Sequence, residues 1–192
     1  MLLGMTVAAR PSARERILAT ADRLFYESGI RAVGVDLIVA ESKVAKTTLY
    51  SHFRTKDDLI AAYLQWRCER WRERLSDAVD VDDAPAAERV LRIFDVLGDW
   101  FAEPDFRGCP FINAMAEVTP EHPAAAVTAE HRSGLRALLR RLSDEAGATA
   151  PDVTANQLML LYDAAIITAH LDREPAAAVT ARSTARALLA TA

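Results

Sequence analysis

The sequence predicts an all-α protein of about nine helices, a small three-helix unit followed by a larger helical domain. Three observations carry this. Apolar residues recur at helical spacing along most of the chain. No segment shows the sustained apolar/polar alternation of a strand. Capping residues, glycines and prolines divide the chain into helix-sized pieces. With 192 residues, 51% of them apolar, the chain can bury one sizeable core or two small ones.

Taken in order, Ser12 and Glu15 form a Ser-x-x-Glu capping box after Pro11. The helix they open places Ile17, Ala21, Leu24 and Phe25 on one face, and Gly29 stops it, with Ile30 folding back on the last turn. Gly34 caps a second helix bearing Leu37, Ile38 and Val39. A tight turn at Lys43 leads to a third, from about Ala45 to His52, with Val44, Leu49 and Phe53 as its apolar underside. Thr55 and Asp58 make another capping box, so a long helix starts at Lys56 and runs through Leu59, Tyr63, Trp66 and Arg70 to Ala78. Val81 to Pro85 is an acidic break. Val90, Phe94, Leu97 and Phe101 mark the next helix, which Glu103-Pro104 ends. Pro110 opens a short helix with Phe111, Ile112, Asn113 and Met115, broken at Thr119-Pro120. A helix from His122 to Ala146 carries Val127, His131, Leu135, Leu138 and Leu142 and stops at Gly147. Pro151 and Asp152 open another, to Leu171, and a last one ends near Ala190.

The stretch Val35–Phe53 concentrates groups that bond phosphate or base edges. The set is Lys43, Ala45, Lys46, Thr47, Thr48, Tyr50, Ser51 and His52, joined by Lys56 at the start of the long helix. A short helix with an apolar underside and a crowded polar outer face suits the DNA major groove. Thr47, with Ser51 one turn on, is the candidate for base edges; Lys46, Thr48, Tyr50 and His52 are candidates for phosphate. The free N–H groups at the start of the long helix, beside Lys56, suit a further phosphate, and Arg10 and Arg14 are possible phosphate contacts or simply solvated. The net charge of −4 argues against nucleic acid, but its distribution reverses that. Residues 1–78 carry 13 Lys and Arg against 10 Asp and Glu, residues 79–192 carry 10 against 17, and all three lysines fall in the candidate DNA-binding stretch.

Ile38-Val39-Ala40-Glu41, Val44 through Phe53 with its Thr-Leu-Tyr-x-x-Phe core, and Lys56 resemble the DNA-binding segment of TetR/AcrR-type transcriptional regulators. The resemblance runs from Ile17 to Leu59. It implies residues 1–55 as a helix-turn-helix domain and 56–192 as an effector-binding and dimerisation domain, with 56–78 as connecting helix. The implied partners are double-stranded DNA bearing a near-palindromic operator, a small-molecule effector and a second copy of the chain; no cofactor is implied. Three positions depart from the family pattern. Val33-Gly34 stands where Thr-Ser is usual, Lys43 where glycine is usual, and Ala45 where a serine cap is common. A lysine at the glycine position means either a strained turn or an altered one.

The resemblance implies an effector cavity, with candidates Tyr63, Trp66, Phe94, Trp100, Phe111, Asn113, Met115, His131 and Tyr162, although each taken alone also reads as ordinary core. Alanine- and leucine-rich final helices suggest pairing with a second copy through Leu158, Leu161, Ala165, Ala169, Ala181, Ala185 and Leu188, or packing within one copy. Cys68 and Cys109 have neither disulfide nor metal spacing. No segment reads as a signal peptide or a membrane span, which suggests a cytoplasmic protein. No nucleophile motif, metal-ligand spacing or phosphate loop supports an enzyme. A redox-responsive regulator using Cys109, its thiol activated by Arg107, is a further alternative.

Overall fold

The structure is a computed structural model that describes residues 11–80 and 83–190. Among these it contains nine helices and no strand, as the periodicity predicts. They are α1 (Ala13–Ser28), α2 (Val35–Ser42), α3 (Lys46–His52), α4 (Lys56–Val79), α5 (Ala86–Phe101), α6 (Pro110–Met115), α7 (Pro123–Glu145), α8 (Pro151–Leu171) and α9 (Ala177–Leu189). The suggested contact of Arg10 and the start of the break at Val81 lie outside the described residues. No helix among the described residues is long and apolar enough to cross a membrane. The chain parts into two compact units between Tyr63 and Leu64, inside α4.

In the first unit the start and stop of α1 follow from its caps. The Ser12 N–H donates to Glu15 Oε2 at 2.6 Å, and the Glu15 N–H donates to Ser12 Oγ at 3.2 Å. The Ser12 N–H, followed by the Ser12 hydroxyl, holds the Glu15 carboxyl below the usual carboxylate range. Gly29 adopts φ 85°, open to glycine at little cost, and its N–H donates to Phe25 O at 2.9 Å. Ile17, Ala21, Leu24 and Phe25 of α1 are buried, as are Ile38 of α2, Leu49 of α3 and Leu59 of α4. Tyr63 sets its ring 5.6 Å from that of Phe25. Arg23 on α1 pairs with Glu27 at 3.2 Å and with Glu41 on α2.

The second unit is organised by α5. Val90, Leu91, Ile93, Phe94, Val96, Leu97, Trp100 and Phe101 are all buried, a broad apolar face opposite Glu88, Arg92, Asp95 and Asp99. A face that wide needs several partners, and α5 packs against α7, α8 and α9. Arg89 secures its start: Nε donates to Val79 O at 2.7 Å, and the guanidinium reaches Glu145 at 2.8 Å and Asp80 at 3.2 Å.

The small residues of α8 and α9 turn out to serve this core. Leu158, Ala165, Ala169, Ala181 and Ala185 are buried, and Leu161 and Leu188 are half-buried against them. The five buried side chains therefore pack helices within one copy, and Leu161 and Leu188 lie at the edge of that core. Close approach is the reason for their size: a Cβ built on Gly98 of α5 would stand 3.4 Å from Ala178 Cβ of α9. The outward face of α8 is instead Val153, Leu160, Ile167 and Leu171.

Ala185 is fully buried, so a larger side chain has no room there. Ala185→Leu should lower stability by about 1–3 kcal/mol through overpacking, read as a reduced urea midpoint in equilibrium unfolding. An unchanged midpoint would mean that α9 packs more loosely than described.

Candidate nucleic-acid interface and apolar cleft

α3 is seated by its underside and presents its outer face. Leu49 is fully buried, and Phe53, its C-cap, is 4% exposed. The Phe53 N–H donates to Leu49 O at 2.9 Å, and the Arg14 guanidinium lies 5.4 Å from the centre of the Phe53 ring. Lys46, Thr47, Tyr50 and Ser51 are exposed at positions that recur on one side of a helix, while Thr48 is half-buried. Lys43, Ala45 and His52 are exposed around this face, and Lys56 is half-buried at the start of α4.

The departures from the family pattern have definite consequences. Lys43 has φ 54° and ψ 44°, so the turn is kept and the lysine occupies the left-handed region. For a residue with a Cβ this costs about 1–2 kcal/mol. Ala45 caps α3 without a side-chain bond, leaving only its carbonyl, which accepts from Thr48 N at 2.9 Å and Leu49 N at 3.1 Å.

Hydrogen bonds refine the roles of the polar groups. Ser51 Oγ donates to Thr48 O at 2.8 Å, so its hydroxyl retains acceptor capacity for an incoming group. Lys46 Nζ donates to Asp36 Oδ1 at 2.6 Å, and the ammonium pKa is raised by that bond. Both side chains are more than half exposed, so water screens the pair and a phosphate can displace Asp36. At the start of α4, the Asp58 N–H donates to Thr55 Oγ1 and the Thr55 N–H to Asp58 Oδ2, each at 3.0 Å. Asp57 and Asp58 also place negative charge in that first turn, which weakens it as a phosphate seat. Sequence reasoning missed Asp36, and also Arg54, which stands exposed between α3 and α4.

In the second unit a cleft of about 380 Å³ opens between the later turns of α4 and the face of α7. From α4 come Cys68, Trp71, Arg72, Leu75, Ser76 and Val79, with Asp80 at the end; from α7 come His131, Gly134, Leu135, Leu138 and Arg141. Mostly apolar walls with a few polar groups are what a small-molecule site needs. Both sets follow helical spacing, the signal that would have found them.

Of the nine cavity candidates, His131 lines this cleft. Its ring stacks on Phe111, centroids 3.9 Å apart. Trp100 lies behind the wall, 4.9 Å from Trp71. Tyr162 is buried, and burial pushes its hydroxyl pKa well up. Phe94 belongs to the central core. Tyr63 belongs to the other unit. Asn113 Nδ2 donates to Arg107 O at 2.9 Å, tying the preceding loop. Trp66 stacks under Arg70, 4.5 Å away, and Met115 is half-buried; neither lines the cleft.

The redox alternative loses its chemical basis here. Burial pushes the Cys109 thiol up to about 11, against the pull of the Ile112 and Phe111 N–H groups. Such a thiol holds almost no thiolate near neutral pH. The positive charge that acts on it is Arg132. Among the described residues no group of three or more His, Cys, Asp or Glu stands ready to hold a metal.

Comparison with known proteins gives consistent results. Residues 17–63 match the model of the bacterial regulatory proteins, tetR family, and residues 86–185 match the tetracyclin repressor-like C-terminal domain. The crystal structure of a TetR-family transcriptional regulator from Streptomyces coelicolor superposes with a TM-score of 0.87 at 34% identity, covering 93% of this chain and 95% of that one. The HTH-type transcriptional repressor NemR of Escherichia coli is 24% identical over 106 residues, 55% of this chain and 53% of NemR. The HTH-type transcriptional activator FasR of Mycolicibacterium smegmatis is 27% identical over 141 residues, 73% of this chain and 64% of FasR. The matched segment thus spans about half the length of NemR and under two thirds of FasR.

Burial, followed by the charges of Arg132 and Arg72, lowers the His131 pKa to about 4 from its ordinary 6.5, with Asp163 opposing. The native state therefore resists protonation where the unfolded chain accepts it. The associated stability is complete above pH 6.5 and is lost as pH falls towards 4. The loss should be on the order of 2–3 kcal/mol. His131→Leu should remove that part of the slope when urea midpoints are compared from pH 7 to pH 4.5. Parallel slopes in the two proteins would refute the assignment.

Proposed function

Because the chain belongs to the tetR family of bacterial regulatory proteins, we propose that it is a dimeric DNA-binding transcriptional regulator. In this reading it is a repressor that a small organic effector releases from a near-palindromic operator. The observation that carries it is the outer face of α3, with Lys46, Thr47, Tyr50 and Ser51 exposed over the buried Leu49. Thr47 and Ser51 read base edges, the contacts that specify. Lys43, Lys46, Thr48, Tyr50, His52 and Lys56 position the protein on the phosphates. Asp36 competes with DNA for Lys46, so that an arbitrary duplex gains less from that lysine than its charge alone suggests.

A single reading helix contacts too few base pairs for useful specificity, and a two-fold pair reads two half-sites. The surface that supports pairing is the outward apolar stripe of α8. Val153, Leu160, Ile167 and Leu171 recur along one side of the helix, and Leu160 is 70% exposed and Leu171 72% exposed. A contiguous exposed stripe of this kind is uncommon on a monomer.

The α4–α7 cleft is the effector site in this reading. α4 carries half of its wall and also, at its other end, Lys56. An effector that favours a different setting of α4 changes the spacing of the two reading helices. It releases DNA to the extent that it binds the released state more tightly. NemR is named a repressor and FasR an activator. Repression is favoured here because a protein parked on its operator until an effector arrives blocks it by default.

The reading is tested by selecting bound duplexes from a random pool and titrating salt against affinity. Lys46→Ala and Lys56→Ala should each weaken binding to every sequence and reduce the slope of log affinity against log salt by about 1. Asp36→Asn should strengthen binding to arbitrary duplex, and Thr47→Ala should mainly change the preferred sequence. If the lysine variants kept both affinity and slope, the docking face would lie elsewhere. Leu160→Asp should convert a dimer to monomers in sedimentation equilibrium and abolish operator binding at protein concentrations where the original chain saturates. A variant that remained dimeric would remove α8 from the interface.

A further inference from the structure

The chemistry of the α4–α7 cleft narrows what enters it, given the reading of that cleft as the effector site. Two guanidinium groups line it, Arg72 and Arg141, and a single carboxylate, Asp80. That carboxylate is already committed: Arg89 reaches it at 3.2 Å and Ser76 Oγ donates to it at 2.9 Å. Arg72 is held only loosely, 3.7 Å from an exposed Glu130 oxygen and 3.7 Å from Cys68 Sγ. Its charge is available at the end of the cleft where His131 sits. Arg72 and Arg132 each oppose protonation of His131 more than Asp163 favours it. A cationic guest would find no uncommitted carboxylate in the wall, and a neutral one would leave Arg72 unused.

The middle of the cleft is apolar and kept open by one residue. Trp71 and Leu75 face Leu135 and Leu138 across it. Gly134 lies between them, inside α7, where glycine costs about 1 kcal/mol of helix stability relative to alanine. A Cβ built there meets no atom within 4 Å. The glycine is therefore not required by packing, and its missing side chain is part of the free space.

We propose that the cleft takes an amphipathic organic acid, its apolar body lying over Gly134 between Trp71 and Leu138 and its acidic group set against Arg72. The acid is recognised by a charge-assisted bond that Arg72 can make without breaking a strong one. Arg141, paired with Glu145 at 2.9 Å on its own helix, marks the opposite end.

The test uses the full chain and two fluorescent probes with one ring system, anilinonaphthalene sulfonate and the neutral phenylnaphthylamine. The sulfonate should bind saturably and about tenfold more tightly than the neutral probe. Arg72→Gln should weaken the sulfonate about tenfold and leave the neutral probe unchanged, with Arg72→Lys recovering part of the loss. Gly134→Leu should fill the cleft and remove both probes while leaving the thermal midpoint equal or higher; Ser76→Phe, from the α4 side, does the same independently of that helix. Equal binding of the two probes, or an Arg72→Gln effect shared by both, overturns the acid and leaves the cleft standing as a site. Absence of saturable binding, or binding indifferent to both occluding variants, overturns the cleft itself.

Discussion

Seven residues of helix have no stability of their own in water, because nucleation outweighs the few bonds gained. α3 exists only because Leu49 and Phe53 are buried beneath it. Its local support is poor. Ala45 gives it no side-chain cap, and Lys43 holds the preceding turn in a conformation suited to glycine. Tertiary burial alone therefore fixes the angle at which Thr47 and Ser51 are presented. The first unit is best understood as a seat for that one helix: α1 is capped at both ends, and α2 is pinned to it through Ile38 and the Arg23–Glu41 pair.

The second unit answers a different constraint. α5 spreads its buried side chains over a broad face, so it needs several partners, and α7, α8 and α9 supply them. α9 approaches α5 through alanines, which fit a narrow gap that leucines would not. Once those inner faces are satisfied, α8 has an apolar stripe left over, and the later turns of α4 stand off from α7 around Gly134. Both surfaces are by-products of how the core is filled.

α4 belongs to both units. Its first turns carry Leu59 and Tyr63, buried in the first unit, and its later turns supply Trp71, Arg72 and Leu75 to the cleft.

The helices were legible in the residues because start and stop signals are local. Ser12 with Glu15, Thr55 with Asp58, Gly29, Pro110 and Pro151 act within a turn of where they stand. α3 was legible as a helix for the same reason, its polar and apolar residues being interleaved within a few positions. What the residues alone could not decide was direction. Leu160 and Leu161 are equally apolar and adjacent, yet one faces outward and the other packs on the core. Of the aromatic candidates, Phe94 and Tyr63 fill cores, while the cleft is walled by Trp71 and the leucines with His131, Arg72, Arg141 and Gly134 among them. Composition and spacing determine which segments are helices and how apolar each one is. Only packing decides which face is spent on the interior, because that depends on partners far away in the chain.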